Sequence, residues 1–178
     1  MTDTQTAVRT SIVVDVPQDR AFTVFTDDIA SWWSPDHHIL QAPLDTMVFE
    51  PRVGGRIYDV GTDGTECYWA TVLAYEPPTR VVFSWNITLQ WGIESDPTRV
   101  SEVEVCFVPD GEQRTRVDLE HRHLDRHGDG WEGMRDAVSS EGGWPQGLQR
   151  LARRLQFPVI PPRPLERQHR RDRRRRQG

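Results

Sequence analysis

The stretch PRVGGRIYDVGTDGTECYWATV, residues 51–72, decides the fold. It contains a Gly-Gly pair, a strand-like run, the turn signal GTDG and a second run rich in aromatics. A glycine loop that cradles phosphate needs a strand before it and a helix after it, so that the helix N-terminus faces the anion. Here Gly54 and Gly55 are followed by GRIYDV, and GTDG by TECYWATVLAY, both strand patterns. The GxxxxGK[ST] spacing is absent, and the chain has no Lys at all, since all 22 basic residues are Arg. The glycines therefore read as hairpin turns, and this stretch is not a nucleotide site.

Outward from these turns the chain continues as strands. TMVFEPRV precedes the Gly-Gly turn. After TECYWATVLAY come the turn EPPTR, the strand RVVFSWNITL, the loop QWGIESDPT, the strand RVSEVEVCFV, the turn PDGEQ and the strand RTRVDLEHR. Upstream, VRTSIVVDV reads as a first, β-branched strand, and PQDRAFTVFTD as a helix with Pro17 in its first turn and Ala21, Phe22 and Phe25 at helical spacing. Asp28 is placed to cap a short helix, DIASWW, and SPDHHILQAPLD is a loop. DGWEGMRDAVSSE offers a helical turn or two. In GWPQGLQRLARRL, Trp144, Leu148, Leu151 and Leu155 form one apolar stripe at i, i+4, i+7 and i+11. A run of strands closed by an amphipathic helix predicts an α+β fold with a mostly antiparallel sheet.

Side chains at i and i+2 share a face of a strand. That rule collects Cys67, Trp69, Thr71, Leu73 and Tyr75 on one strand, and Val81, Phe83, Trp85, Ile87 and Leu89 on the next. It adds Val103, Val105 and Phe107, opposite Glu102 and Glu104, and then Val117, Leu119 and His121, opposite Arg116, Asp118 and Glu120. One helix must cover this aromatic and aliphatic face. Taken singly these residues are ordinary core. A curved sheet gripping a single helix, however, tends to leave an apolar pocket unfilled.

Length and charge bound the rest. At 178 residues the chain suits one domain, and its low apolar share of 36 % is offset by seven Trp. No apolar run is long enough to span a membrane, and MTDTQTAVRT lacks the basic start and apolar centre of a signal peptide, so the expected location is cytoplasmic. Cys67 and Cys106 read as reduced thiols within strands. Residues 158–178 carry +6, and the chain totals −5, so the preceding 157 residues carry −11. The expected division is a flexible N-terminus at 1–7, a domain at 8–157 and a disordered, Arg-rich tail at 158–178. The tail has no interleaved aromatic, which confines any nucleic-acid contact to weak electrostatics.

VPQDRAFTVFTDDIASWW resembles the opening helices of START-like (SRPBCC) domains. FEPRVGGRIYDV, TDGTECYWATVLAYEPPTRVVFSW and SEVEVCFVPDGEQRTRVDLEHRHL, with the late GWEGM and GWPQGLQRLARRL, resemble the branch related to the heat-shock-protein-90 ATPase activator homologue C-terminal domain. The resemblance covers roughly residues 8 to 156 and implies a helix-grip (START/Bet v 1-like) fold, a curved antiparallel sheet around a long C-terminal helix with a cavity between them. It also implies the superfamily's range of roles: binding of lipids, polyketides or other hydrophobic molecules, cyclisation or aromatisation in the cavity, or contact with a chaperone. The short, Asp-, Gly- and His-rich segment between Arg122 and Gly143 departs from the branch.

The expected ligand-binding set is Trp32, Trp33, Trp69, Phe83, Trp85, Val105, Phe107, Leu119, His121, Trp144 and Leu148. His121 stands out as a polar anchor or acid–base group among apolar neighbours, against the plainer reading of a hydrogen-bonded histidine at a sheet edge. An enzyme would pair it with Tyr58 or Tyr75. The clusters HRHLDRH and Asp36-His37-His38 invite a metal, but the spacing is weak and no metal or other cofactor is expected. Of Trp32 and Trp33, adjacent on a short helix, one is expected in the core and the other exposed. A hydrophobic small molecule is the expected partner, with a chaperone or a second copy of the chain as alternatives.

Overall fold

The computed structural model describes residues 6–156. The N-terminal five residues and the segment from 157 onward, where the disordered tail was expected, lie outside the described residues. The chain runs β1 (Val8–Val14), α1 (Gln18–Thr26), β2 (Leu44–Phe49), β3 (Arg56–Gly61), β4 (Glu66–Glu76), β5 (Arg80–Trp85), β6 (Ser101–Pro109), β7 (Thr115–Arg122), α2 (Trp131–Ser139) and α3 (Trp144–Gln156). All seven strands form one antiparallel sheet in the order β1-β7-β6-β5-β4-β3-β2. This is a helix-grip fold. Chain order is kept across the sheet because each strand from β2 to β7 pairs with the next in sequence, through tight turns except for the longer loop 86–100 between β5 and β6. The one crossover is from β1 to β2, in which α1 and the segment after it take the chain from the β7 side to the opposite edge of the sheet.

The opening reading of the glycines holds. Gly54 has φ +81° in the β2–β3 turn, and Gly64 has φ +82° in the β3–β4 turn, both left-handed values that favour glycine. A Cβ on Gly55 would sit 2.6 Å from the Glu50 carbonyl oxygen, so that position needs glycine for space.

Two bulges correct the expected inner face of β4. Ile57 pairs with Ala70 but Tyr58 with Tyr68, so Trp69 is an extra residue; Val72 pairs with Phe83 but Ala74 with Val82, so Leu73 is another. Each extra residue shifts the alternation by one. Trp69 keeps its expected inward place, Ala70 and Val72 take the places expected of Thr71 and Leu73, and Leu73 is 43 % exposed. The second bulge restores the alternation at Tyr75, which packs against the core. β5 also stops at Trp85 rather than reaching Leu89; beyond it a loop is tied by the Ile87–Ile93 bridge.

Elsewhere the alternation is regular. Val103, Val105, Phe107, Val117, Leu119 and His121 are all buried. The stripe of α3, namely Trp144, Leu148, Leu151 and Leu155, is buried as well, and the helix packs on β1 and α1. On the outer face Arg122 bridges Glu102, Glu104 and Glu120, and Arg80 reaches Glu104 at 2.7 Å. These half-exposed pairs add little stability each, about 0–1 kcal/mol, but they keep that face wetted and so fix which face is inside. DIASWW forms only a 3₁₀ turn, Ile29–Ser31, and Asp28 gives it no side-chain cap.

Candidate functional site

Between the β3–β5 side of the sheet, the loop 34–39, and helices α2 and α3 lies a cavity of about 380 Å³. Six of the seven tryptophans line it: Trp32, Trp33, Trp69, Trp85, Trp91 and Trp144. Four of them close a ring of contacts. Trp33 meets Trp69 at 5.4 Å between centroids, Trp69 meets Trp85 at 5.6 Å, Trp85 meets Trp144 at 5.6 Å, and Trp144 returns to Trp33 at 5.7 Å. Three of these contacts are steeply tilted or edge-to-face, the arrangement the ring quadrupoles favour.

The ring is held by hydrogen bonds from the indole N–H groups. Trp33 donates to the His37 carbonyl at 3.0 Å, Trp69 to Asp59 Oδ1 at 3.1 Å, and Trp144 to His121 Nδ1 at 3.1 Å. Trp32 is 1 % exposed and belongs to the core beneath Phe25, whereas Trp33 is half-buried, as their adjacency on a short element requires.

The structure places the eleven expected residues in two groups. Trp32, Trp33, Trp69, Trp85 and Trp144 line the cavity. Phe83, Val105, Phe107, Leu119 and Leu148 are fully buried core and are not among the lining residues; Phe107 sits under α1 against Phe22 and Phe25. His121 also stands behind the wall rather than in it. Trp85 stacks obliquely on its ring at 5.1 Å, and both ring nitrogens are engaged.

Those bonds fix its tautomer. An indole N–H only donates, so Nδ1 of His121 accepts and Nε2 carries the proton. Nε2 donates to Ser101 Oγ at 2.7 Å, and Ser101 in turn donates to His127 Nε2 at 2.7 Å. Burial, with His127 nearby, pushes the His121 ring down to about 3, and burial also lowers His127, so both are neutral at physiological pH. Two histidines of HRHLDRH thus meet through a serine. Among the described residues no group of three or more His, Cys, Asp or Glu side chains is placed to hold a metal ion. Tyr58 stacks on Tyr68 and Tyr75 packs on Phe22; neither lines the cavity, so the expected His121–tyrosine pair is not assembled. Burial raises both thiols, Cys67 and Cys106, leaving them weak nucleophiles.

Several polar residues line the cavity, and the buried one among them is Asp59, which the expected set omits. It is 2 % exposed on the inner face of β3, and burial pushes its carboxyl up to about 6 against the opposing pull of the Trp69 N–H and His38. Two further buried polar atoms of the lining have no protein partner: Trp85 Nε1 and His38 Nδ1. Trp91 was not foreseen either. It stands at the mouth, 51 % exposed, with φ +61°.

The cavity lies within a family match. The model of the family "Activator of Hsp90 ATPase homolog 1-like protein" matches residues 15–156. Among solved structures, the anthrahydroquino-γ-pyrone synthase Txn09 is 40 % identical, with 83 % of this chain and 96 % of that chain covered and a TM-score of 0.61. CalC from Micromonospora echinospora, described as a self-sacrificing resistance protein, is 28 % identical over 86 % of this chain and 96 % of that one, with a TM-score of 0.61. NE0264 from Nitrosomonas europaea is 15 % identical, covers 86 % of this chain and 96 % of its own, and at a TM-score of 0.63 shares the fold. No curated protein matches the chain. No helix among the described residues is long and apolar enough to cross a membrane. With most of its length matched by one family model, the chain belongs to the Activator of Hsp90 ATPase homolog 1-like family of the START-like superfamily.

Proposed function

We propose that the chain binds a flat, polycyclic aromatic molecule of polyketide type in the tryptophan cavity. The observation that carries this reading is the cluster of four mutually contacting tryptophans in the wall of a cavity of about 380 Å³. That volume lies in the range of about 300–1,000 Å³ usual for small-molecule sites. Rigid aromatic walls select flat guests, because a flexible acyl chain loses more rotamer freedom on entry. Burying roughly 200 Å² of apolar guest surface contributes about 5 kcal/mol before the cost of association. The 40 % identical relative is named for an anthrahydroquinone–pyrone product, a polycyclic aromatic, which supports the same guest class.

Titration of the intrinsic tryptophan fluorescence with neutral 9,10-anthraquinone, with anthraquinone-2,6-disulfonate and with palmitate tests the proposal. Saturable quenching by the neutral tricycle is expected, at least tenfold tighter than by the other two, and weakened at least tenfold by Trp85→Ala. Absence of saturable quenching by the tricycle overturns the reading; tighter binding of palmitate replaces it with a lipid carrier.

A second reading, ring closure of the guest in the same cavity, is favoured by one specific observation, the buried carboxyl of Asp59 beside the tryptophans of the wall. The chaperone-contact reading expects a filled interior, and the void favours a container over it.

A further inference from the structure

We propose that Asp59 is the acid–base catalyst of an intramolecular ring closure, in which a phenolic hydroxyl of the bound aromatic adds to a ketone carbon on its own side chain. This rests on the aromatic-cavity reading above and adds to it the reacting groups and the residue that moves the proton.

Two features of the site converge on this chemistry. Asp59 is 2 % exposed, and Trp69 Nε1 fixes its Oδ1 at 3.1 Å, while no described residue hydrogen-bonds its Oδ2. Trp69 belongs to the tryptophan ring, so the carboxyl is attached to the wall on which the guest stacks. The second is the charge around Asp59. Asp36, His37 and His38 face the cavity from the loop 34–39, Arg150 from α3 with its Nε engaged by the Trp32 carbonyl at 3.0 Å, and Cys67 lies opposite on β4. On β2 its partner is the uncharged Met47. No cation in this set forms an ion pair with Asp59, so its carboxyl is free to gain and lose a proton. Burial holds it at about 6, close to neutral, where a group serves well both as base and, once protonated, as acid.

The balance of the step is simple. Ionised Asp59 takes the phenolic proton as the phenol oxygen forms a C–O bond to the ketone carbon. The C=O π pair moves onto the ketone oxygen. The proton on Asp59 then passes to this oxygen, giving a cyclic hemiketal, an isomer of the starting guest. Where the side chain is a 1,3-diketone, Asp59 next takes the proton from the carbon between the carbonyls. The electron pair of that C–H bond forms the ring C=C as hydroxide leaves with the proton as water, and a pyrone ring results. No oxidant, reductant or metal is consumed.

The test uses the full chain and the probe 1-(1-hydroxyanthraquinon-2-yl)butane-1,3-dione, whose phenol and distal ketone are placed to close a six-membered ring. Binding is read by tryptophan quenching and closure by chromatography of the fused pyrone. The parent is expected to accelerate closure over buffer, with a rate that falls as pH drops below about 6. Asp59→Asn is expected to keep the dissociation constant within threefold and the far-UV circular dichroism unchanged. It should lose about a hundredfold or more in rate, together with the acid limb of the pH profile. Asp59→Glu is expected to recover part of the rate with the limb displaced. Saturable binding with no acceleration by the parent, or closure by Asp59→Asn within threefold of the parent, overturns the proposal and leaves the aromatic-cavity reading standing. Failure of the probe to quench at all removes both.

Discussion

Asp59 is best tested apart from any ligand, through the pH dependence of stability. Its carboxyl titrates at about 6 in the folded chain against an ordinary value of 3.8. Between those values the folded chain binds more protons than the unfolded one. Stability from this group is therefore present in acid, is lost as pH rises from 3.8 to about 6, and stays lost above. At about 1.4 kcal/mol per pH unit the interval amounts to about 3 kcal/mol, an upper value for an almost fully buried side chain. Asp59→Asn keeps an oxygen to accept from Trp69 but has no carboxylate to desolvate. Its own pH-independent cost, chiefly a buried N–H₂, cancels when one variant is compared at two pH values. The stability difference, variant minus parent, should thus shift in the variant's favour by about 2 kcal/mol between pH 4.5 and pH 8, since about 1 kcal/mol of the penalty is already present at pH 4.5. Urea unfolding followed by tryptophan fluorescence and circular dichroism measures it. A difference that is the same at both pH values within about 0.5 kcal/mol would refute the buried-carboxyl account, because a solvated Asp59 has no pH-dependent penalty to relieve.

The histidine chain carries the opposite sign. With the His121 ring neutral down to about 3 against an ordinary 6.5, the unfolded chain holds the extra proton between those values, so stability present above 6.5 falls on acidification. In the Asp59→Asn chain, where no opposing carboxyl masks it, urea unfolding at pH 6.5 and 4.5 should show this loss, and a flat profile would contradict it. Ser101→Ala orphans Nε2 of both His121 and His127, and at about 1–3 kcal/mol for each buried group the loss is about 2–5 kcal/mol by urea unfolding at pH 7.5; a loss below 0.5 kcal/mol would mean the serine does not link them. Trp91→Gly relieves a left-handed conformation that costs a side chain about 1 kcal/mol and also removes part of the mouth, so unfolding should show a gain near that size while anthraquinone binding weakens. On Gly147 an added Cβ would lie 3.8 Å from Trp32 and 3.9 Å from Trp144, ordinary contacts, so Gly147→Ala should stabilise α3 by about 1 kcal/mol, whereas Gly147→Leu should fold as well and bind anthraquinone at least tenfold more weakly in the quenching titration.

Most of the scaffold follows from two periodicities and the turn chemistry. Alternation in VSEVEVCFV and RVDLEH sorts the faces of β6 and β7 correctly because these strands are regular and lie inside the sheet. The stripe from Trp144 to Leu155 marks α3 for the same reason. Alternation fails on β4, where two bulges reverse it and then restore it, and nothing in TECYWATVLAY announces an extra residue at Trp69 or Leu73. Asp59 was within reach: the same rule applied to GRIYDV puts it beside Ile57 on the inner face, and an acid alone on an apolar face is a signal in itself. It is hidden by its place near a strand end, where aspartate usually reads as turn chemistry. Trp91 lies in an irregular loop in which no period assigns a face. His121 was correctly placed inward, but its exclusion from the cavity depends on Ser101, His127 and Trp144, and partners 20, 6 and 23 residues away cannot be read from one strand.

A void of about 380 Å³ in a chain of this size needs a physical reason to persist, since interiors pack densely and empty volume is costly. The wall facing the tryptophans is built largely of small residues, with Ala137, Gly142, Gly143 and Gly147 presenting backbone where larger side chains would reach across. At Gly143 this is enforced, for a Cβ there would lie 2.3 Å from the Val138 carbonyl oxygen. The tryptophans could still swing inward and fill the space. Three of the four in the ring are prevented by their own N–H groups: Trp33 is tied to the His37 carbonyl, Trp69 to Asp59, and Trp144 to His121. His121 in turn is locked by Ser101, which is locked by His127. The buried polar chain is therefore a brace, reaching the cavity only through the indole it holds. The fourth tryptophan, Trp85, has an N–H with no such tie. A wall braced at three of its four indoles keeps its shape without side chains filling the space between sheet and helices.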